Sequence, residues 1–257
     1  MKQTEWKIVC SDYAGADKRA ADFLSEEIGR YLIREEGVYR LHVLPCEKEG
    51  CAIEHSAVVV GLYSESATIR KYVKEEELNG RDYFVKIADN PDREGGSLVL
   101  ITAHTAENLF YAAVWFADDY IPARAPEFGA VRMPQNIFDK PLKPAAYGES
   151  ARFRTRSVFT WGHPLNDYRG YIDDLARLKF NRLILWNDYM PVNIGEVIDY
   201  AHARGIEVFC GYAWGWSCSP ITDIGDKRLA AWRKEILREY EENYAKTACD
   251  GIYFQSF

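Results

Sequence analysis

From residue 157 onward the chain alternates strand and helix without interruption, and this alternation restricts the fold more than anything else in the sequence. Ser157–Trp161 reads as a strand, and Tyr171–Lys179 as a helix with Ile172, Leu175 and Ala176 on one face. Arg182–Trp186 is a nearly continuous apolar strand, the pattern of a strand covered on both sides. The next helix is predicted from Asn193, with Glu196 completing a capping box, and it carries Ile194, Val197, Ile198 and Ala201 at i, i+3, i+4 and i+7 before Gly205 ends it. Ile206–Tyr212, a long helix over Asp226–Lys246 with a stripe of Leu229, Trp232, Ile236, Tyr240 and Tyr244, and a strand over Gly251–Phe257 complete a run of four strands and three helices. Parallel strands joined by helices build either a barrel or an open doubly wound sheet.

The strand ends decide between the two. No glycine-rich phosphate loop follows any strand, as a nucleotide-binding sheet would show. Instead Trp161-Gly162-His163, Trp186-Asn187-Asp188 and Trp214-Gly215-Trp216 stand after the first three strands. They belong to the carboxyl-terminal face, where barrels place their sites. The expected fold class is therefore α/β, with a partial (β/α)8 TIM barrel of about four βα units.

Ahead of it the sequence predicts a smaller α/β domain. Trp6–Cys10, Tyr39–Leu44, Ala57–Leu62, Tyr83–Ala88 and Ser97–Thr102 are strand-like. A helix over Asp17–Glu36 turns Ala20, Leu24, Ile28, Tyr31 and Leu32 to one side, and a second, capped by Thr105, buries Leu109, Ala113, Phe116 and Tyr120 before Pro122. Two helices against about five strands make a two-layer domain. Between Pro122 and Ser150, five prolines and no periodicity mark a linker, so the domains are expected at 1–145 and 146–257.

Composition excludes several functions. The formal charge is −7 and the basic residues are scattered among acidic ones, which argues against nucleic acid. No segment approaches the roughly 20 apolar residues of a membrane span. With no secretory signal, the six cysteines (Cys10, Cys46, Cys51, Cys210, Cys218, Cys249) read as free thiols in a reducing, cytoplasmic setting. Cys46 and Cys51 lack a second pair at zinc-site spacing, so no metal and no cofactor are expected.

Sugars offer flat C–H faces and outward hydroxyls, which aromatic rings and amide, carboxylate or guanidinium groups respectively match. Trp161, Trp186, Asn187, Tyr212, Trp214 and Trp216 form the expected saccharide face, and Trp186 and Trp214 are expected to be removable with loss of binding but little loss of fold. A single tryptophan here would equally close the top of the core; three equivalent clusters favour a ligand. Asp188 serves either as hydroxyl acceptor and helper carboxylate or as a loop cap. His163 is either a ligand contact or an ordinary loop histidine, and Arg156 either reaches a ligand or pairs with a carboxylate at the lower rim.

The run Arg169-Gly-Tyr-Ile-Asp-Asp-Leu-Ala-Arg-Leu-Lys-Phe-Asn181, then Leu-Ile-Leu-Trp-Asn187-Asp188, then Ile-Asp-Tyr-Ala-His-Ala-Arg-Gly-Ile206-Glu-Val, resembles the opening of glycosidase barrels. It is most similar to family-67 α-glucuronidases and family-20 β-N-acetylhexosaminidases, which also carry an N-terminal α/β domain. Departing from the family-20 pattern, the first strand keeps Arg156 but has Ser157 and Trp161; Asn187 matches a sugar-site asparagine better. The resemblance implies a glycoside hydrolase acting on an oligosaccharide or polysaccharide, with its general acid at or beyond the end of the fourth strand. On that basis the chain is expected to be a truncated form that stops before the acid. The alternatives are a non-catalytic carbohydrate-binding protein and a homodimer formed through the open half-barrel edge.

Overall fold

The structure is a computed structural model. It describes residues 6–29, 33–34, 37–38, 42–45, 52–123, 127–128, 131–132, 142–187, 190–211, 225 and 227–254. The chain divides into two compact units, Met1–Arg152 and Phe153–Phe257.

The first unit is built from β1 (Trp6–Cys10), α1 (Gly15–Gly29), β2 (His42–Pro45), β3 (Ser56–Leu62), α2 (Ala67–Tyr72), α3 (Glu75–Leu78), β4 (Tyr83–Asp89), β5 (Ser97–Ala103), α4 (Ala106–Trp115) and β6 (Ala145–Glu149). Two-residue ladders join Ile33–Arg34 to Gly37–Val38 and Glu127–Phe128 to Val131–Arg132. The six main strands form one sheet in the order β6-β4-β5-β3-β1-β2. The four strands β2, β1, β3 and β5 are parallel, whereas β4 runs antiparallel to β5 and to β6.

All seven residues of β5 and six of the seven in β3 are buried, which is why both read as unbroken apolar runs. One face is covered by α1, through Ala20, Ala21, Leu24 and Ile28, together with α4, through Leu109 to Val114. On the other face α2 and α3 bring Ile69, Val73 and Leu78 against Val9, Val59, Phe84 and Leu100.

Thr105 caps α4 by accepting from the Asn108 amide at 3.3 Å, as its position predicts. The helix then widens over Phe116–Tyr120, where the Ile121 amide reaches back five residues to the Phe116 carbonyl.

Two sequence expectations change here. The first helix stops at Gly29 rather than at Gly37, because glycine is a weak helix former and a strand ladder follows within a few residues. Tyr31 and Leu32 lie outside the described residues.

The segment expected to be linker contains β6, which pairs along its whole length with β4. Its sequence, Ala-Ala-Tyr-Gly-Glu, has no alternation to announce a strand. Contacts hold it instead: Tyr147 stacks on Trp115 with centroids 4.0 Å apart, and the Tyr83 hydroxyl donates to Glu149 at 2.6 Å.

The second unit is a strict alternation of β7 (Ser157–Phe159), α5 (Tyr168–Arg177), β8 (Arg182–Trp186), α6 (Ile194–His202), β9 (Glu207–Gly211), α7 (Leu229–Glu239) and β10 (Gly251–Tyr253). Its four strands are parallel and stand in sequence order, β7-β8-β9-β10. Asp167 starts α5 by accepting from the Gly170 amide at 2.9 Å. The inward residues of α5 (Ile172, Leu175, Ala176) and of α6 (Ile194, Val197, Ile198, Ala201) are those the helical period selects.

Asn193 does begin α6, but its side chain makes no capping hydrogen bond, so the capping box expected with Glu196 does not form. The stripe on α7 is also less covered than expected. None of its residues is buried, and only Tyr244, in the wide turn Tyr240–Tyr244 that follows, is enclosed. Periodicity identifies a face that favours cover; it does not supply the cover.

Candidate saccharide rim at the strand ends

The first strand of the second unit ends in a turn that continues the pairing by other means. The Thr160 amide donates to the Ile184 carbonyl at 3.1 Å, the Trp186 amide to Thr160 Oγ1 at 3.1 Å, and the Gly162 amide to the Trp186 carbonyl at 2.6 Å. His163 closes the turn with its amide on the Thr160 carbonyl at 3.2 Å. Within this frame Trp161 is held at φ +48°, beside Gly162 at φ +72°. A bulky residue in the left-handed region costs of order 1 to 3 kcal/mol and persists only where neighbours over-determine it, which makes the turn a pointer to function.

The strained turn places one indole on another. Trp161 and Trp186 lie with centroids 5.6 Å apart and 37° between planes. Their exposures differ: Trp161 is 50% accessible and Trp186 only 7%. Phe159 touches both, at 5.2 and 6.4 Å, and meets Tyr253 from the end of β10 at 4.8 Å. Gly211, at the end of β9, gives the Trp186 indole room; a Cβ there would collide with Trp186 Cδ1. An aromatic floor thus extends across the ends of β7, β8 and β10, with Trp161 standing above it.

Asn187 adds the polar element. Its Nδ2 lies 3.4 Å from the Tyr168 hydroxyl at the start of α5, and its Oδ1 is shielded from solvent with no hydrogen-bond partner among the described residues. Leaving a buried polar atom unpaired costs about 1 to 3 kcal/mol, so a donor arriving from a ligand would be favoured here.

The other predicted site residues fall as follows. His163 is exposed on the same turn, next in sequence to the Trp161-Gly162 pair. Arg156 stands at the opposite end of β7 from Trp161. Its Nε donates to the Lys179 carbonyl at 2.5 Å and its Nη1 to the Phe153 carbonyl at 2.8 Å, while its amide donates to Asn181 Oδ1 at 2.8 Å. Asp188, Tyr212, Trp214 and Trp216 lie outside the described residues.

The structure therefore joins Trp161, Trp186 and Asn187, with His163 alongside, and separates Arg156 from them. Trp186 is a correction to the expectation that it can be cut back without harm to the fold, since most of its ring is core. Sequence reasoning missed Phe159, Tyr253 and Tyr168. The first two occupy strand-end positions like those of the tryptophans, a signal that was available; Tyr168 carried none.

Parallel strands in sequence order, with helices between them and aromatic and amide groups at their carboxyl ends, define a partial (β/α) barrel. No protein-family model matches the chain, and no curated protein matches it. Among solved structures the chain is similar to CpGH84D, a family-84 glycoside hydrolase, with a TM-score of 0.51 and 14% identity over 96% of this chain and 40% of that one. CpGH84B is a weaker likeness, at TM-score 0.47 and 11% identity over 96% of this chain and 39% of that one. The likeness is one of fold, and the chain spans about 40% of the length of CpGH84D. Both matches are family-84 structures, and neither is of family 67 or family 20, the families that the sequence resembles.

Among the described residues no helix is long and apolar enough to cross a membrane, and no cluster of three His, Cys, Asp or Glu is placed to hold a metal ion.

Proposed function

We propose that this chain is part of a glycoside hydrolase and that the rim of its second unit binds the saccharide. The observation that carries the proposal is the paired indoles of Trp161 and Trp186 beside the Asn187 carbonyl, which has no hydrogen-bond partner among the described residues. An exposed ring on a rigid aromatic base suits the C–H face of a sugar, and an amide next to it suits the hydroxyls.

Hydrolysis of a glycosidic bond ordinarily needs a carboxylic acid and a second carboxylate. The described strand ends carry neither; they present Thr160 to His163, Asn187, Gly211 and Phe254. On this reading the described rim contributes binding and orientation. The same absence favours a second reading, a carbohydrate-binding protein without turnover.

The resemblance of the sequence to family-67 and family-20 barrels and the likeness of the fold to family 84 both favour saccharide as the substrate class. A reducing, cytoplasmic setting is the one we propose, in keeping with the thiols of Cys210 and Cys249.

Calorimetric titration with neutral oligosaccharides, wild type against Trp161→Ala, tests the rim. Equal affinities would remove it. Release of nitrophenol from aryl glycosides separates hydrolase from binding protein.

A further inference from the structure

A cleft opens on the same end of the barrel unit, between the starts of α5 and α6. It measures about 220 Å³ and is lined by Asn166, Tyr168, Arg169, Asn193, Glu196 and Tyr200, among others. That is below the roughly 300 to 1,000 Å³ of a drug-sized pocket and suits one sugar ring rather than a chain.

The polar side chains around it have little to do within the protein. Asn166, Asn193 and Glu196 make no side-chain hydrogen bond among the described residues, and Arg169 forms no ion pair there, its guanidinium lying 5.3 Å from the Tyr200 ring centroid. Tyr200 is fixed, because its hydroxyl donates to Asp173 Oδ2 at 2.8 Å and Arg204 packs on its ring at 3.4 Å. On the α5 side, Asp167 is committed through one oxygen to the Gly170 amide.

The sign of the lining selects the ligand class. Arg169 and the two amides offer donors; Glu196 and the free oxygen of Asp167 offer acceptors. An anion would use the donors and be repelled by two carboxylates, while a cation would face the guanidinium. A hydroxyl both donates and accepts, so a neutral polyol is the species this mixture satisfies. The cleft also touches the rim: Tyr168 lines it and lies 3.4 Å from Asn187, whose Oδ1 is the unpartnered atom described above.

We propose that the cleft between α5 and α6 is an outer subsite for a neutral sugar ring of a saccharide whose nearer ring lies on Trp161, with Arg169, Asn193 and Glu196 as its contacts. This rests on the rim reading and extends it to a chain-length preference.

The test is calorimetric titration of the full chain with disaccharides and tetrasaccharides of β-1,4-linked glucose, xylose and N-acetylglucosamine, in wild type, Arg169→Ala, Glu196→Gln and Trp161→Ala, with circular dichroism confirming the fold of each. Tetrasaccharide affinity should fall about ten-fold in the two cleft variants while disaccharide affinity holds, and Trp161→Ala should weaken both. Unchanged tetrasaccharide affinity in the cleft variants, with Trp161→Ala still harmful, overturns the subsite and leaves the rim standing. Equal losses for both lengths overturn it as an outer subsite. No binding of any probe to the wild type overturns rim and subsite together.

Discussion

The indole of Trp161 rests on that of Trp186 at 5.6 Å, yet only Trp161 is open to solvent. Two residues that look alike in sequence therefore have different physical tasks. Removing the exposed ring deletes the proposed sugar platform, whereas removing the buried one deletes part of the core beneath it.

Trp161→Ala should weaken oligosaccharide binding at least about ten-fold and cost far less unfolding free energy than Trp186→Ala, because half of the residue is open to solvent. Trp186→Ala should instead cost about 3 to 5 kcal/mol, the range for deleting a large core aromatic. Urea unfolding of the two variants separates them; equal losses would mean that the exposures do not govern their roles.

Gly211→Ala should destabilise the second unit by about 1 to 3 kcal/mol, since the added methyl collides with Trp186. Near-ultraviolet circular dichroism should report a displaced indole. A variant with wild-type stability and spectrum would show that the Trp186 ring does not lie over β9.

Arg156→Ala should lower stability without altering saccharide affinity, because the guanidinium braces the carbonyls of Lys179 and Phe153 at the far end of β7. Loss of two charge-assisted hydrogen bonds corresponds to a few kcal/mol. A drop in affinity with stability intact would return Arg156 to the binding site.

Asp17 is 7% accessible, and burial pushes its carboxyl from 3.8 up to about 6, against the opposing pull of the Asp12, Leu62 and Ser11 backbone amides and with some help from Glu65. A raised carboxyl favours the folded state in its neutral form. Its contribution is thus fully present below about pH 4 and is lost as pH rises through 6, by up to about 3 kcal/mol. Melting curves of wild type and Asp17→Asn from pH 4 to 7 should show the wild type losing ground as pH increases; a constant difference between them would sink the assignment.

Burial, together with the neighbouring Cys249 thiol, pushes Cys210 up to about 12. At neutral pH maleimide should therefore label Cys249 well before Cys210, since the thiolate is the nucleophile. Faster labelling of Cys210, followed by mass spectrometry of the peptides, would contradict the packing of β9.

The sequence by itself determined the repeating order of elements in the second unit and the inward faces of α5 and α6, because helical spacing and apolar runs are local properties that each segment carries alone. It also pointed to Trp161, Trp186 and Asn187 as strand-end groups, since a residue following a strand in a βα repeat has only one end of the sheet to occupy.

Tertiary structure decided what those local signals leave open. Whether an indole is platform or floor depends on which ring lies above the other, and that follows from the left-handed turn at Trp161 and the missing side chain at Gly211. The edge strand Ala145–Glu149 and the Tyr168 contact with Asn187 likewise exist only through partners distant in sequence, on β4 in one case and at the start of α5 in the other. Periodicity records which face a segment must bury; only the folded chain brings up the surface that meets it.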